Sequence, residues 1–340
     1  MMKTYLLNLR VTLFAGFAAF SGAQAGTHAF VWDSTTGMTD IGTLGGDSSY
    51  ALGINDSGVV AGYSYLSDNT TTHAFLWTAA GGMVDISAGL QPGTSSQANF
   101  VNARGNVAGT SLVGTRPQVP AARIAHRWSL LPSFRKDNRN YGFGINKLEQ
   151  VTGQQYGDPD LYVHAFLWDL RAGTKAILQS IPNGGVNTVG NAINDRSHVT
   201  GTGDNPAIGG YEALLWTSTT AMPILIGQLG TDGYTAGEGI NKNDEVVGLN
   251  SPTLAGFYWN ASTGIVPLQS LGGTVSAALG INDTGMISGY GGTATGIVHA
   301  VRWSHYTDAP LDLGTLLSGG NSYARGINNL GQVVGFADVP

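Results

Sequence analysis

Five of the seven histidines, His28, His73, His126, His164 and His299, recur at one position ahead of a tryptophan, and imidazole is a common zinc ligand. Repetition argues against a shared metal. Strands lie about 4.8 Å apart, so equivalent histidines in neighbouring repeats fall more than about 10 Å apart, whereas zinc holds its ligands within roughly 2.3 Å. These imidazoles are expected to be structural, partly buried beside Phe and Trp, with no metal and no cofactor. The recurring acids, Asp56, Asp195 and Asp283 in turns and Asp40, Asp85 and Asp312 on outer strands, face the same argument. A catalytic carboxylate pair must converge within about 5 to 10 Å, and repeated positions are spread apart. Turn and edge roles are expected for them.

Positions that do not repeat are the better candidates. Segments after each Val-Val-x-Gly run vary in length and hold Tyr63, Tyr65, Asp68 and Asn69, then Gln154, Gln155, Tyr156, Asp158, Asp160 and Tyr162, then Asp204, Asn205 and Tyr211. Tyrosine beside acids and amides suits a sugar, because the ring stacks on the C–H face while polar groups take the hydroxyls. The ligand-binding set chosen on this basis is Tyr65, Asp68, Tyr156, Asp158, Asp160 and Asp204. An enzymatic alternative, a glycosidase or polysaccharide lyase, needs two acids about 5.5 Å or about 6.5 to 9.5 Å apart, with Asp158, Asp160, Asp204 and Glu212 as candidates. A purely structural surface protein is the third reading. Eight of the 16 basic residues (Arg104, Arg116, Arg123, Arg127, Arg135, Lys136, Arg139, Lys147) form a local cluster that is either a solvated loop or an anion-binding patch.

The elements that must position these residues follow from a repeat. Seven times an Asn is followed seven residues later by a Gly: Asn55 and Gly62, Asn102 and Gly109, Asn146 and Gly153, Asn194 and Gly201, Asn241 and Gly248, Asn282 and Gly289, Asn328 and Gly335. Trp32, Trp77, Trp128, Trp168, Trp216, Trp259 and Trp303 alternate with these units at intervals of 40 to 51 residues. A period in the forties marks one supersecondary unit copied many times. In Gly53-Ile-Asn-Asp-Ser-Gly58, two extended runs flank a type I turn ending in a left-handed Gly, so each unit opens with a tight hairpin. Glu149, Ser197 and Asp244 replace that Gly in three repeats, which predicts strain or a different turn there. A third strand ending in Trp (Ala125 to Trp128 in the third repeat) and a short Asp-Ile or Asp-Leu strand complete four strands per repeat.

These features predict an all-β, seven-bladed β-propeller of four-stranded antiparallel blades. The small Ala-x-Gly-Ile-Asn strand is expected innermost. The chain then starts with a third and fourth strand (His28 to Gly42) and ends with a first and second (Tyr323 to Ala337), so the terminal strands should share one blade and close the ring.

The strings His-Ala-Phe-x-Trp, Gly-Thr-Leu-Gly-Gly (Gly42 to Gly46) and Gly-Ile-Asn-Asp-x-Gly (Gly53 to Gly58) resemble HAF repeats, a family of bacterial extracellular repeats. The resemblance spans nearly all of residues 26–340 and is weakest around Trp128. It implies export and a repeated architecture and transfers no catalytic residue.

Composition agrees. Residues 1–25, with Lys3 and Arg10 ahead of an apolar run and Ala23-Gln24-Ala25 at its end, read as a signal peptide, leaving 26–340 as one domain. Without those two bases the net charge moves from −6 to near −8, which argues against nucleic-acid binding. No cysteine is present, so disulfides cannot staple the fold. The expected product is an exported monomer, periplasmic or extracellular, without a membrane span, whose partner is a polysaccharide or another extracellular protein.

Overall fold

The computed structural model describes residues 26–340 apart from 89, 91–93, 113–118, 125–126, 131–139, 157–161, 183, 231–232 and 252–253. The proposed signal peptide therefore lies outside the described residues, as do Asp158 and Asp160. Among the described residues, 28 strands form seven four-stranded sheets, every pairing antiparallel. Six sheets are continuous in sequence, over 49–85, 95–130, 140–177, 188–225, 234–267 and 272–312. They are called blades I to VI. Blade VII joins the two ends of the described chain: Gly37–Asp40 and Thr27–Asp33 pair with Val333–Asp338 and Ser322–Ile327, in that order from the outside in. Thr27 lies opposite Asp338 and Trp32 opposite Val333. The architecture is a β-propeller.

Blade II departs from the expected strand assignment. Val119–Ile124 pairs with Val107–Leu112, and Arg127–Leu130 pairs outside it, so Trp128 sits on the outermost strand. Val119–Ile124 supplies a full six-residue third strand, which moves the tryptophan outward.

The recurring Asn is the centre of each repeat. Its Oδ1 accepts the backbone N–H groups two and four residues on, as Asn282 does from Thr284 (3.0 Å) and Met286 (2.9 Å), and this folds the hairpin turn. Its Nδ2 donates to the backbone carbonyl of the next blade's Asn. The series runs Asn55 to Asn102, Asn102 to Asn146, Asn146 to Asn194, Asn194 to Asn241, Asn241 to Asn282, Asn282 to Asn328 and Asn328 back to Asn55, all at 2.9 to 3.0 Å. All seven asparagines are buried. One side chain thus shapes a turn and locks two blades together.

The paired Gly has an equally local cause. Each inner strand carries a β-bulge three residues before its Asn, and the bulge pushes a carbonyl over the glycine of the neighbouring strand. A Cβ on Gly201 would lie 1.8 Å from the Val189 oxygen, and one on Gly335 would lie 1.9 Å from the Tyr323 oxygen. No other residue fits there.

Blades also clasp one another six residues before six of the seven asparagines, blade III carrying Asn140 there. Ser49, Ser96, Thr188, Thr235, Ser276 and Ser322 accept the N–H of Ala29, Ala74, Ala165, Ala213, Gly256 and Ala300 on the preceding blade, at 2.8 to 3.0 Å. Apolar clusters fill the spaces between blades, and the largest buried side chains, Trp216, Trp303, Phe30, Phe75, Phe166 and Phe257, come from third strands.

At the three turns without Gly the turn is kept and the strain accepted: φ is +64° at Glu149, +67° at Ser197 and +63° at Asp244. Each of these side chains reaches back to the preceding blade. Glu149 bonds Arg104 (3.1 Å), Ser197 bonds Gln150 (2.7 Å), and Asp244 bonds Arg196 (2.9 Å) and His198 (2.8 Å). A left-handed non-glycine costs about 1 kcal/mol or more, comparable with one partly exposed hydrogen bond. Ser197→Gly should therefore raise the denaturant midpoint slightly, by up to about 1 kcal/mol, because Ser197 has the weakest compensating contact. A midpoint that falls by more than that amount would show the cross-blade bond to be the stronger term.

Candidate functional site

The inner strands run toward the Asn turns, so residues before the Asn lie nearer the opposite face. That face carries the crossovers between blades and the loops joining second to third strands, stitched together by bonds such as Gly46 N–H to Tyr65 C=O (3.1 Å) and Asn69 Nδ2 to Asp47 (2.6 Å). The channel between the blades holds two cavities. The one at the turn face, about 160 Å³, is lined by the asparagines and their following residues. The other, about 110 Å³, lies deeper toward the loop face and is lined by the bulges.

A bulged residue leaves the ladder and turns its side chain away from the sheet, here into the channel. The seven are Leu52, Asn99, Phe143, Asn191, Glu238, Leu279 and Arg325. Their flanks repeat and they do not. The residue before each bulge is small (Ala51, Ala98, Gly142, Gly190, Gly237, Ala278, Ala324), and the residue after is Gly or Ala except for Phe100. In ring order, Glu238 and Arg325 stand on blades V and VII, either side of Leu279. Across the channel, on blades II and III, stand Phe100 and Phe143. Asn99 and Asn191 each give their amide nitrogen to the next blade, to the Gly142 carbonyl (2.7 Å) and the Gly237 carbonyl (2.8 Å).

Above Leu279 and Arg325 the aromatic residues of blades VI, VII and I pack together: Tyr290 against Tyr323, Tyr323 against Phe336, and Phe336 and Tyr63 against Tyr50. Burial raises the Tyr290 phenol's pKa; Arg325 opposes that rise and Glu238 adds to it, which places both charges near this ring. Tyr63 is raised well above its usual range by burial first, then by Tyr50 and Tyr65.

The residues chosen from sequence are distributed unevenly around this site. Tyr65 ends its strand beside Tyr50 and Tyr63, at the edge of the aromatic group. Tyr156 also ends a strand, opposite Val163. Asp68 is exposed and bound by its own loop, accepting the Thr71 hydroxyl (2.6 Å) and the Thr70 and Thr71 amides, and those bonds depress its carboxyl. Asp204 accepts the Val186 and Asn187 amides (2.7 and 2.8 Å) and so ties a crossover to its strand. Asp338, at the matching place in blade VII, does the same for Asn321. Glu212 is buried and accepts Gly227 N–H (3.0 Å) and Asn205 Nδ2. The channel residues were missed by sequence reasoning, although a varying column between two columns of small residues was there to be read.

The histidines and outer acids pair with each other. His28 bonds Asp40 (2.7 Å), His73 bonds Asp85 (2.7 Å) and His299 bonds Asp312 (2.9 Å), while each Asp also accepts the amide two residues on, Gly42, Ser87 or Gly314. The pairs pin the outermost strand and start the crossover. Among the described residues no three His, Asp or Glu converge as a metal site requires. Arg104 and Lys147, the described ends of the basic cluster, are ion-paired to Glu149 and Asp195 (3.1 Å each).

Burial raises the Asp85 carboxyl, but the bonds from His73 and Ser87 outweigh it and the net shift is downward. A depressed carboxylate stabilises the fold above the ordinary value of about 4, and that contribution is lost as pH falls through the folded value. Asp85→Asn should therefore lower the denaturation midpoint at neutral pH, with the gap to the parent protein closing on acidification below about pH 4. A gap independent of pH would contradict this role.

No family model and no curated protein matches the chain. Solved structures do match over almost its whole length. An oligogalacturonate lyase from Vibrio parahaemolyticus aligns with a TM-score of 0.55 at 12% identity, covering 94% of this chain and 98% of its own. They share a fold. A virginiamycin B lyase from Staphylococcus aureus aligns with a TM-score of 0.54 at 8% identity, over 93% and 100%. A streptogramin B lyase gives 0.53 at 10% identity, over 92% and 99%. At such identities the likeness concerns architecture alone. Among the described residues no helix is long and apolar enough to cross a membrane.

Proposed function

We propose that this protein is an exported, non-enzymatic binding scaffold that takes a carbohydrate at the loop-bearing end of its channel. The observation that carries the reading is the division of the channel lining, with Phe100 and the bulged Phe143 on one wall and the bulged Glu238 and Arg325 on the other. A pyranose has the same division. Its C–H face stacks on aromatic rings, and its hydroxyls both give to a carboxylate and receive from a guanidinium. Tyr65 and the variable loops beside it extend the surface a longer glycan would touch. Export rests on the leader-like first 25 residues and on the resemblance to HAF repeats.

The hydrolase or lyase alternative has less support, because Asp204 and Glu212 are committed to backbone amides that hold crossovers in place. The test is calorimetric titration with a panel of neutral and charged oligosaccharides, using the parent protein and Arg325→Ala. A saturable signal weakened at least tenfold by the substitution is expected. A folded protein that binds no member of the panel refutes the carbohydrate reading and turns attention to a protein partner.

A further inference from the structure

We infer that the carbohydrate carries a free amine, whose ammonium group is held between the Phe143, Asn191 and Glu238 side chains on blades III, IV and V. The inference rests on the carbohydrate reading above and names the class of sugar. Asn191 is buried, at 6% exposure, and lines the cavity at the bulges. Its Nδ2 donates to the Gly237 carbonyl (2.8 Å) and lies 3.5 Å from Glu238 Oε1. Turning the amide over would set its oxygen against both of these acceptors, so its orientation is fixed. Oδ1 is the atom left over, and it meets no donor among the described residues. A buried acceptor in that state is unfavourable until a ligand supplies a hydrogen.

The neighbouring bulges decide which donor fits. On one side Glu238 presents a carboxylate, which accepts hydrogens and gives none. On the other side Phe143 presents an aromatic ring, whose face attracts a cation. Two acceptors and a ring on three successive blades suit a group with several N–H bonds and a positive charge. A hydroxyl has a single hydrogen and would satisfy only one of the two acceptors. Arg325 stands on blade VII, three blades from Asn191 on blade IV, which is the widest separation a ring of seven permits. From there its guanidinium repels the bound charge least and stays available to the sugar's oxygens. Asn99 is the internal comparison. It makes the same bond to the next blade (2.7 Å), but it is only half-buried and the bulge beyond it is Phe143, so no acid stands beside it.

The experiment titrates three dimers that share one β-1,4-linked backbone and differ at carbon 2: cellobiose with a hydroxyl, the glucosamine dimer with an ammonium, and diacetylchitobiose with an acetamide. It is run at about pH 6, below the value near 8 at which such an amine releases its proton. The glucosamine dimer should bind at least about tenfold more tightly than either neutral dimer. Equal affinity for all three, or a preference for the acetamide, overturns the inference and leaves the carbohydrate reading intact, whereas no binding by any of them removes both. Glu238→Gln keeps the shape and removes the charge, so it should weaken the glucosamine dimer at least about tenfold more than it weakens either neutral dimer. Equal losses would overturn the ammonium assignment. Asn191→Leu is the second variant, because leucine already stands at the bulge in blades I and VI as Leu52 and Leu279. It should reduce the same preference while unfolding stays cooperative, and a folded variant with the preference unchanged excludes Asn191 from the site.

Discussion

Alanine in place of Asn282 should cost about 2 to 4 kcal/mol of stability, read as the shift in denaturant midpoint at constant slope. The side chain is buried, and its loss leaves the Thr284 and Met286 amides without partners and takes from the Asn328 carbonyl one of its two donors, the other being Gly331 N–H. Each buried orphan costs about 1 to 3 kcal/mol, and the turn amides, nearer solvent, lie at the low end. Aspartate at the same position keeps the acceptor for both amides but places a carboxylate against the Asn328 carbonyl. It should lose about half as much. Asn243, exposed in the middle of a turn, is the control, and Asn243→Ala should stay within about 0.5 kcal/mol of the parent. If Asn282→Ala costs under 1 kcal/mol, the circuit of asparagines is ornamental and the apolar clusters alone hold the blades.

Removing residues 26–40 should abolish the single cooperative transition. That segment supplies the two outer strands of blade VII, including Phe30 and Trp32, which pack with Ala300, Leu313, Ala324, Val333 and Ala337. Without it, Ser322–Ile327 and Val333–Asp338 are a bare hairpin, and a two-stranded hairpin is marginal in water. The edge left open would template pairing with other chains, so aggregation should accompany the loss. A synthetic peptide of residues 26–40 added in trans should restore part of the transition, because the missing strands pair through backbone bonds such as Val339 N–H to the Gly26 carbonyl (2.9 Å). A truncated protein that melts with the parent's midpoint would mean that closure contributes nothing.

Most of the scaffold was legible because its determinants are residue types at fixed spacing. The Asn and Gly columns each answer to one steric or hydrogen-bonding demand, and the pairing of the terminal strands follows from the phase of the repeat. The Ser/Thr clasp stands six residues before six of the seven asparagines, but hydroxyl residues are common in turns and give it no distinguishing signal. The His–Asp pairs could have been found from co-occurrence: Asp40, Asp85 and Asp312 accompany His28, His73 and His299, whereas in blade III, which carries His164, an isoleucine, Ile177, sits at the matching register.

The candidate site was harder to see for a physical reason. A β-bulge re-aims one residue without requiring a particular side chain, so Leu52, Phe143 and Glu238 share a backbone conformation and nothing else. Variation is usual in loops, and Asp68 and Asp204 stand in the segments that vary there. Both turned out to be fastened to nearby amides. The residues facing the axis were hidden inside strands.

The bonded asparagine cycle passes from Asn328 to Asn55 just as it passes between any other neighbours, and every link points the same way round. Copy number is therefore a collective property. A duplicated or deleted unit would oblige all remaining sheets to change their mutual angle at once, whereas substitutions at the bulges disturb only their own sector. Such a molecule can diversify what it touches far more readily than it can change its circumference.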